Sequence, residues 1–95
     1  MEKIIDRKDF RAALRALREL KDTSLEHLPE FWEEFKIATE GSGYRYRRFR
    51  GEMLFEIEAK LINSLPLEAK IEWQRKKAEI GKVSFEDIFS FWQSQ

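Results

Sequence analysis

The chain contains no cysteine. That removes disulfides, thiolate metal sites and thiol nucleophiles at once. It has a single histidine, His27, directly preceded by Glu26. Neither the HExxH pair of zinc enzymes nor the Glu-x-x-His pairs of di-iron bundles can be built from that arrangement. GSGYRY, from Gly41 to Tyr46, begins like a nucleotide loop, but Tyr46 stands where the third glycine of GxGxxG belongs, and no GK[ST] occurs. Carboxylates are numerous, yet none forms a pair set apart for acid–base work. The expectation is a protein without cofactor or metal, and not an enzyme.

Glycine and proline are also scarce, four and two in 95 residues, so the chain is short of turn formers and rich in helix formers. No apolar run approaches the roughly 20 residues of a membrane span. The start, MEKIIDRKDF, places charges where a signal peptide would be apolar. A cytoplasmic protein with no membrane partner is expected. Net charge is absent as well, 18 basic residues against 18 acidic, which speaks against a protein that coats nucleic acid nonspecifically. The length leaves room for one modest core, hence one helical domain over 1–95.

What is present reads as an all-α fold, a compact bundle of four to five short helices. Asp6 can cap a first helix, with Asp9 at its third helical position and Ile5 and Phe10 spaced as a hydrophobic staple. That helix runs to about Lys21, with Phe10, Ala13, Leu14, Leu17 and Leu20 along one side. Thr23 and Glu26 have capping-box spacing. Pro29 fits best in a first turn, so a second helix starts at Leu28 or Pro29 and runs to about Thr39, burying Phe31, Trp32 and Phe35. Gly41-Ser42-Gly43 ends it.

A third helix covers about Arg45 to Leu65. Met53, Leu54, Ile57, Leu61 and Leu65 form one stripe and Phe55, Ala59 and Ile62 a neighbouring one, so a wide apolar arc is expected. Pro66 forces a boundary, Ser64 can cap, and LEAKIEWQRKKAEI forms a fourth helix ended by Gly81. Ser84 and Asp87 then open a short fifth helix, with Val83 and Ile88 spaced as its staple.

Eight of the nine arginines fall in two groups. Arg7, Arg11, Arg15 and Arg18 step by four, four and three, which places them within an arc of roughly 80° on the first helix. Arg45, Arg47, Arg48 and Arg50 stand among Tyr44, Tyr46 and Phe49 at the start of the third, where the helix dipole is also positive. Something must neutralise that charge. An anion would do so, since helix-start amides with guanidinium groups suit phosphate and the aromatics suit base stacking. Glutamates would serve as well: Glu26, Glu30, Glu33, Glu34 and Glu40 against Lys36 leave the second helix four charges negative, matching the four positive charges of segment 41–50.

The C-terminal segment carries a second concentration, of aromatic rings. Phe85, Ile88, Phe89 and Trp92 fall on one side and Phe91 on another. This load either closes the protein's own core or docks on a partner. The functional expectation is a small non-catalytic binding protein, an adaptor, inhibitor or regulator, that recognises another, acidic protein. Its candidate binding residues are Arg45, Arg47, Arg48, Arg50, Tyr44, Tyr46, Arg11, Arg15 and Arg18, with Phe85, Phe89, Phe91 and Trp92 as an interface. Association into a homodimer or higher oligomer suits the adjacent opposite charges. The alternative is nucleic-acid or nucleotide binding through Arg45 to Arg50.

Overall fold

A computed structural model describes the backbone of residues 14–39 and 44–95 and the side chains of 14–39 and 49–95. The expected cap at Asp6 and Asp9, the Ile5 and Phe10 staple and the Gly41–Gly43 terminator lie outside the described residues. The described chain is all-α, with five helices and no strand. In chain order these are α1 (described over 14–22), α2 (Leu28–Thr39), α3 (Tyr44–Asn63), α4 (Leu67–Ile80) and α5 (Phe85–Gln93). A single 3-10 turn, Leu25–His27, leads into α2. Backbone packing divides the chain into two units, Met1–Met53 and Leu54–Gln95, with the boundary inside α3.

In the first unit, α1 ends through Thr23. Its hydroxyl donates to the Glu19 carbonyl at 2.7 Å, and its amide to that of Leu20 at 3.2 Å. Thr23 therefore closes the helix behind it instead of forming the expected box with Glu26, because a threonine just past a helix end is within reach of the orphan carbonyls there. Ser24 precedes the 3-10 turn, and its hydroxyl lies 2.6 Å from Nδ1 of the exposed His27. α2 then begins at Leu28 with Pro29 in its first turn, where a missing amide hydrogen costs nothing. Leu28, Trp32, Phe35 and Thr39 are its buried residues, at steps of four, three and four, the spacing of one helical face. Phe31 is half-buried.

The second unit is tied together at Trp73. This side chain has no exposed surface. Its indole Nε1 donates to Glu58 Oε2 on α3 at 2.9 Å, and its ring lies 5.1 Å from that of Phe91 on α5. One side chain thus joins three helices, as suits a ring with a large apolar body and one polar handle. Glu58 also accepts from Lys77 Nζ at 2.7 Å, so the largely buried carboxylate has a counter-ion. On α3, Met53, Ile57, Leu61 and Ile62 are buried, but Phe55 is 63% exposed. The expected second apolar stripe fails at Phe55 because two helical steps, about 200°, carry it away from Ile57.

Helix ends in this unit follow local chemistry. Ser64 does not cap α4: its hydroxyl donates to the Leu61 carbonyl at 2.6 Å and accepts from Trp92 Nε1 at 3.0 Å. The N-cap is Pro66, whose carbonyl receives the Lys70 amide. α4 closes on Gly81, at φ +83°, where a Cβ would be strained. α5 opens with the expected capping box: the Asp87 amide donates to Ser84 Oγ, and Asp87 Oδ2 accepts from the Ser84 amide and hydroxyl, each at 3.0 Å.

Two glycines separate helix geometry from helix propensity. Gly81→Ala should lower stability by about 1–2 kcal/mol, the cost of a side chain at positive φ. Gly51→Ala, inside α3 with nothing within 4 Å of a new Cβ, should raise it by about 0.5–1 kcal/mol. Urea unfolding of both variants reads the contrast.

The capping box has a pH signature. The backbone and hydroxyl hydrogen bonds from Ser84 hold the Asp87 carboxyl below its ordinary value. The folded chain therefore takes up this proton less readily than the unfolded chain, and the stabilisation is present above the ordinary carboxylate range and lost as pH falls through the lowered one. In Asp87→Asn the urea midpoint should fall less steeply than in the parent below about pH 4.

Candidate functional site

α3 begins at Tyr44, so Arg45, Arg47 and Arg48 occupy its first two turns, and no acidic residue stands in the first turn to offset them. The side chains of Tyr44, Arg45, Tyr46, Arg47 and Arg48 lie outside the described residues, as does all of Arg11. Arg50 is described and is committed. Its Nε donates to Thr39 Oγ1 at 2.8 Å and its Nη2 to the Lys36 carbonyl at 2.9 Å. Thr39 Oγ1 in turn donates to the Phe35 carbonyl at 2.8 Å.

The guanidinium therefore sits on the C-terminal end of α2, where carbonyls lack intrahelical partners and the helix dipole is negative. Glutamate pairing within the hairpin is one way to neutralise the arginines; at Arg50 the acceptors are instead a helix end and a threonine. A planar fork of donors meets two acceptors that a lysine ammonium would not span together. Thr39 is buried and has two jobs, accepting from Arg50 and donating to its own helix.

Arg15 and Arg18 lie exposed on α1, three residues apart, with no side-chain hydrogen bond or ion pair among the described residues. Glu26, Glu30 and Glu34 are exposed as well, and Glu33 pairs with Lys36 of its own helix at 3.4 Å.

The C-terminal aromatics are placed differently from the four-residue interface. Phe85 and Phe91 are buried with Ile88 inside the second unit, while Phe89 and Trp92 are half-buried. Phe85, Phe89 and Trp92 follow one another with neighbouring ring centres 5.5 Å apart, the first pair stacked and the second tilted by 36°. Phe91, read from the sequence as pointing away from that row, is the ring that meets Trp73, and the Lys76 ammonium lies 5.9 Å from its centre. The buried arc of α5 is centred on Ile88, and Phe91 forms one flank of it.

Two features had little signal in the sequence. Glu58 looks like any surface glutamate until Trp73 and Lys77 are brought to it from 15 and 19 residues away. Leu67 and Ile71 look like core residues of α4 but are 70% and 53% exposed. Their phase relative to Trp73 is the only clue, since they lie on the opposite side of the helix wheel.

Among the described residues, no three His, Asp or Glu side chains are grouped to hold a metal ion, and no helix is long and apolar enough to cross a membrane. Comparison with protein-family models, with curated proteins and with solved structures gives no match.

Arg50 gives a direct test of the division between structural and available arginines. Arg50→Ala should cost about 1–3 kcal/mol, the range for hydrogen bonds to a charged donor, which corresponds to several degrees in the thermal midpoint. Arg50→Lys should recover less than half of that loss in the same thermal scan.

Proposed function

We propose that this chain is a non-catalytic helical binding protein, an adaptor, inhibitor or regulator, that recognises an acidic surface of another protein through its arginines. The observation that carries the reading is Arg15 and Arg18: exposed on adjacent turns of one helix and without an acidic partner among the described residues. Arg45, Arg47 and Arg48 add to it, since they load positive charge on a helix start that has no acid of its own in the first turn. Guanidinium groups favour carboxylate-rich partners because each can make two parallel hydrogen bonds. Arg50 drops out of the recognition set, being held by α2. Phe85 and Phe91 drop out with it, and Phe89 and Trp92 remain as partly accessible rings beside them.

The reading is tested by charge reversal. The purified chain should retain a protein from a native lysate, and Arg47→Glu/Arg48→Glu or Arg15→Glu/Arg18→Glu should lose it while helicity is unchanged and the unfolding free energy stays within about 0.5 kcal/mol of the parent. A midpoint that collapses in these variants would make the arginines structural. The same preparation should shift neither DNA nor RNA at low salt. A shift that weakens steeply with added salt would transfer the reading to nucleic-acid binding.

A further inference from the structure

The face of α4 turned away from Trp73 is built as the seam of a helix pair. Leu67, Ile71, Gln74 and Ala78 recur at steps of four, three and four, and at about 100° per residue they fall within roughly 60° of one another, on the far side of the helix from Ala69 and Trp73. All four are exposed, while Ala69 and Trp73 are buried. An uncharged stripe three turns long, with the large apolar Leu67 and Ile71 in it and charged residues along both edges, has the pattern of a contact surface.

The chemistry of the stripe selects its occupant. We infer that it is a second copy of this chain, with the two α4 helices packed antiparallel about a two-fold axis near residues 72 and 73. In that arrangement the large Leu67 faces the small Ala78 of the partner subunit, and Ile71 faces Gln74 of the partner subunit. Glu68 and Arg75 border the same edge of the stripe, so reversal of the second helix sets Glu68 beside Arg75 of the partner subunit, and symmetry makes the pair twice. The Glu72 ion pair that Arg75 makes within its own helix, at 3.3 Å, is exposed and weakly held. On the other edge lie Lys70 and Lys77. They would face each other, but Lys77 is already paired with Glu58 at 2.7 Å, which leaves one uncompensated charge per chain there. A parallel pairing fails by the same count, since it sets Lys70 against Arg75 of the partner subunit. This surface is distinct from the arginines of the proposed partner site, and the two stand or fall separately.

Four residues a side make an interface at the low end of the size range, so the association is weak, in the region of ~10–500 μM. Sedimentation equilibrium of the full chain from about 5 μM to about 1 mM should show a monomer–dimer equilibrium. Ile71→Glu and Glu68→Arg should each weaken it by about tenfold or more, and Glu68→Arg/Arg75→Glu should restore it to within about threefold of the parent. Circular dichroism should stay unchanged in all three, because these side chains are exposed; the urea midpoint should stay unchanged in Ile71→Glu and fall by a similar small amount in both variants that lose the first-turn acid Glu68, so that their difference in association reads the ion pair alone. A monomer across the whole range overturns the proposal. So does a dimer indifferent to Ile71→Glu, or a folded charge-swap variant that remains as weak as Glu68→Arg.

Discussion

The indole of Trp73 is the constraint around which residues 54–95 are arranged. A fully buried tryptophan brings a large apolar surface out of water and one N–H that must find an acceptor. Glu58 supplies it from α3, and a carboxylate so little exposed then needs positive charge, which Lys77 brings from one turn further along α4. Phe91 covers the ring from α5. The three helices are consequently held by one set of mutual requirements: loss of any partner strands a buried polar group or opens space beside the ring. Such networks fix one arrangement more firmly than apolar contact alone, because a shifted register would leave the N–H or the carboxylate unsatisfied.

A second theme is the management of helix ends in a chain with few glycines. Each end leaves unpaired backbone groups, and among the described residues five of the ends are met by five different devices. Thr23 turns back on α1, Arg50 reaches across to α2, Ser64 closes α3, Gly81 turns the chain after α4, and Ser84 with Asp87 opens α5. Arg50 stands apart among these devices, because one of four clustered guanidinium groups is held as a clamp on the end of α2. The guanidinium keeps its charge there, but its Nε and Nη2 donors are already engaged by uncharged acceptors of α2.

α4 presents two faces of different use. One carries Ala69 and Trp73 into the core, and the opposite one carries Leu67 and Ile71 into solvent. Its hydrophobic residues are therefore spread around the helix, and no single amphipathic direction describes it. Pairing of the outer faces would cover the apolar surface without drawing on the arginines, leaving α1 and the start of α3 available to a different protein.

The sequence alone determined the helix class and most helix boundaries, because Pro29, Pro66, Gly81 and the Ser84–Asp87 pair act on their immediate neighbours through fixed dihedral angles and short hydrogen bonds. α2 begins, α4 begins and ends, and α5 begins where those residues say they must. Local signals also misled where two local bonds competed: Thr23 and Ser64 both had cap spacing for the helix ahead and both bonded to the helix behind. Only tertiary structure decided which charges and rings are committed. Arg50 finds α2 across 14 residues, Trp73 finds Glu58 across 15, and Phe91 rather than Phe89 meets Trp73. A helical period says which residues share a side, but the side that faces the core is chosen by the partners that fold against it.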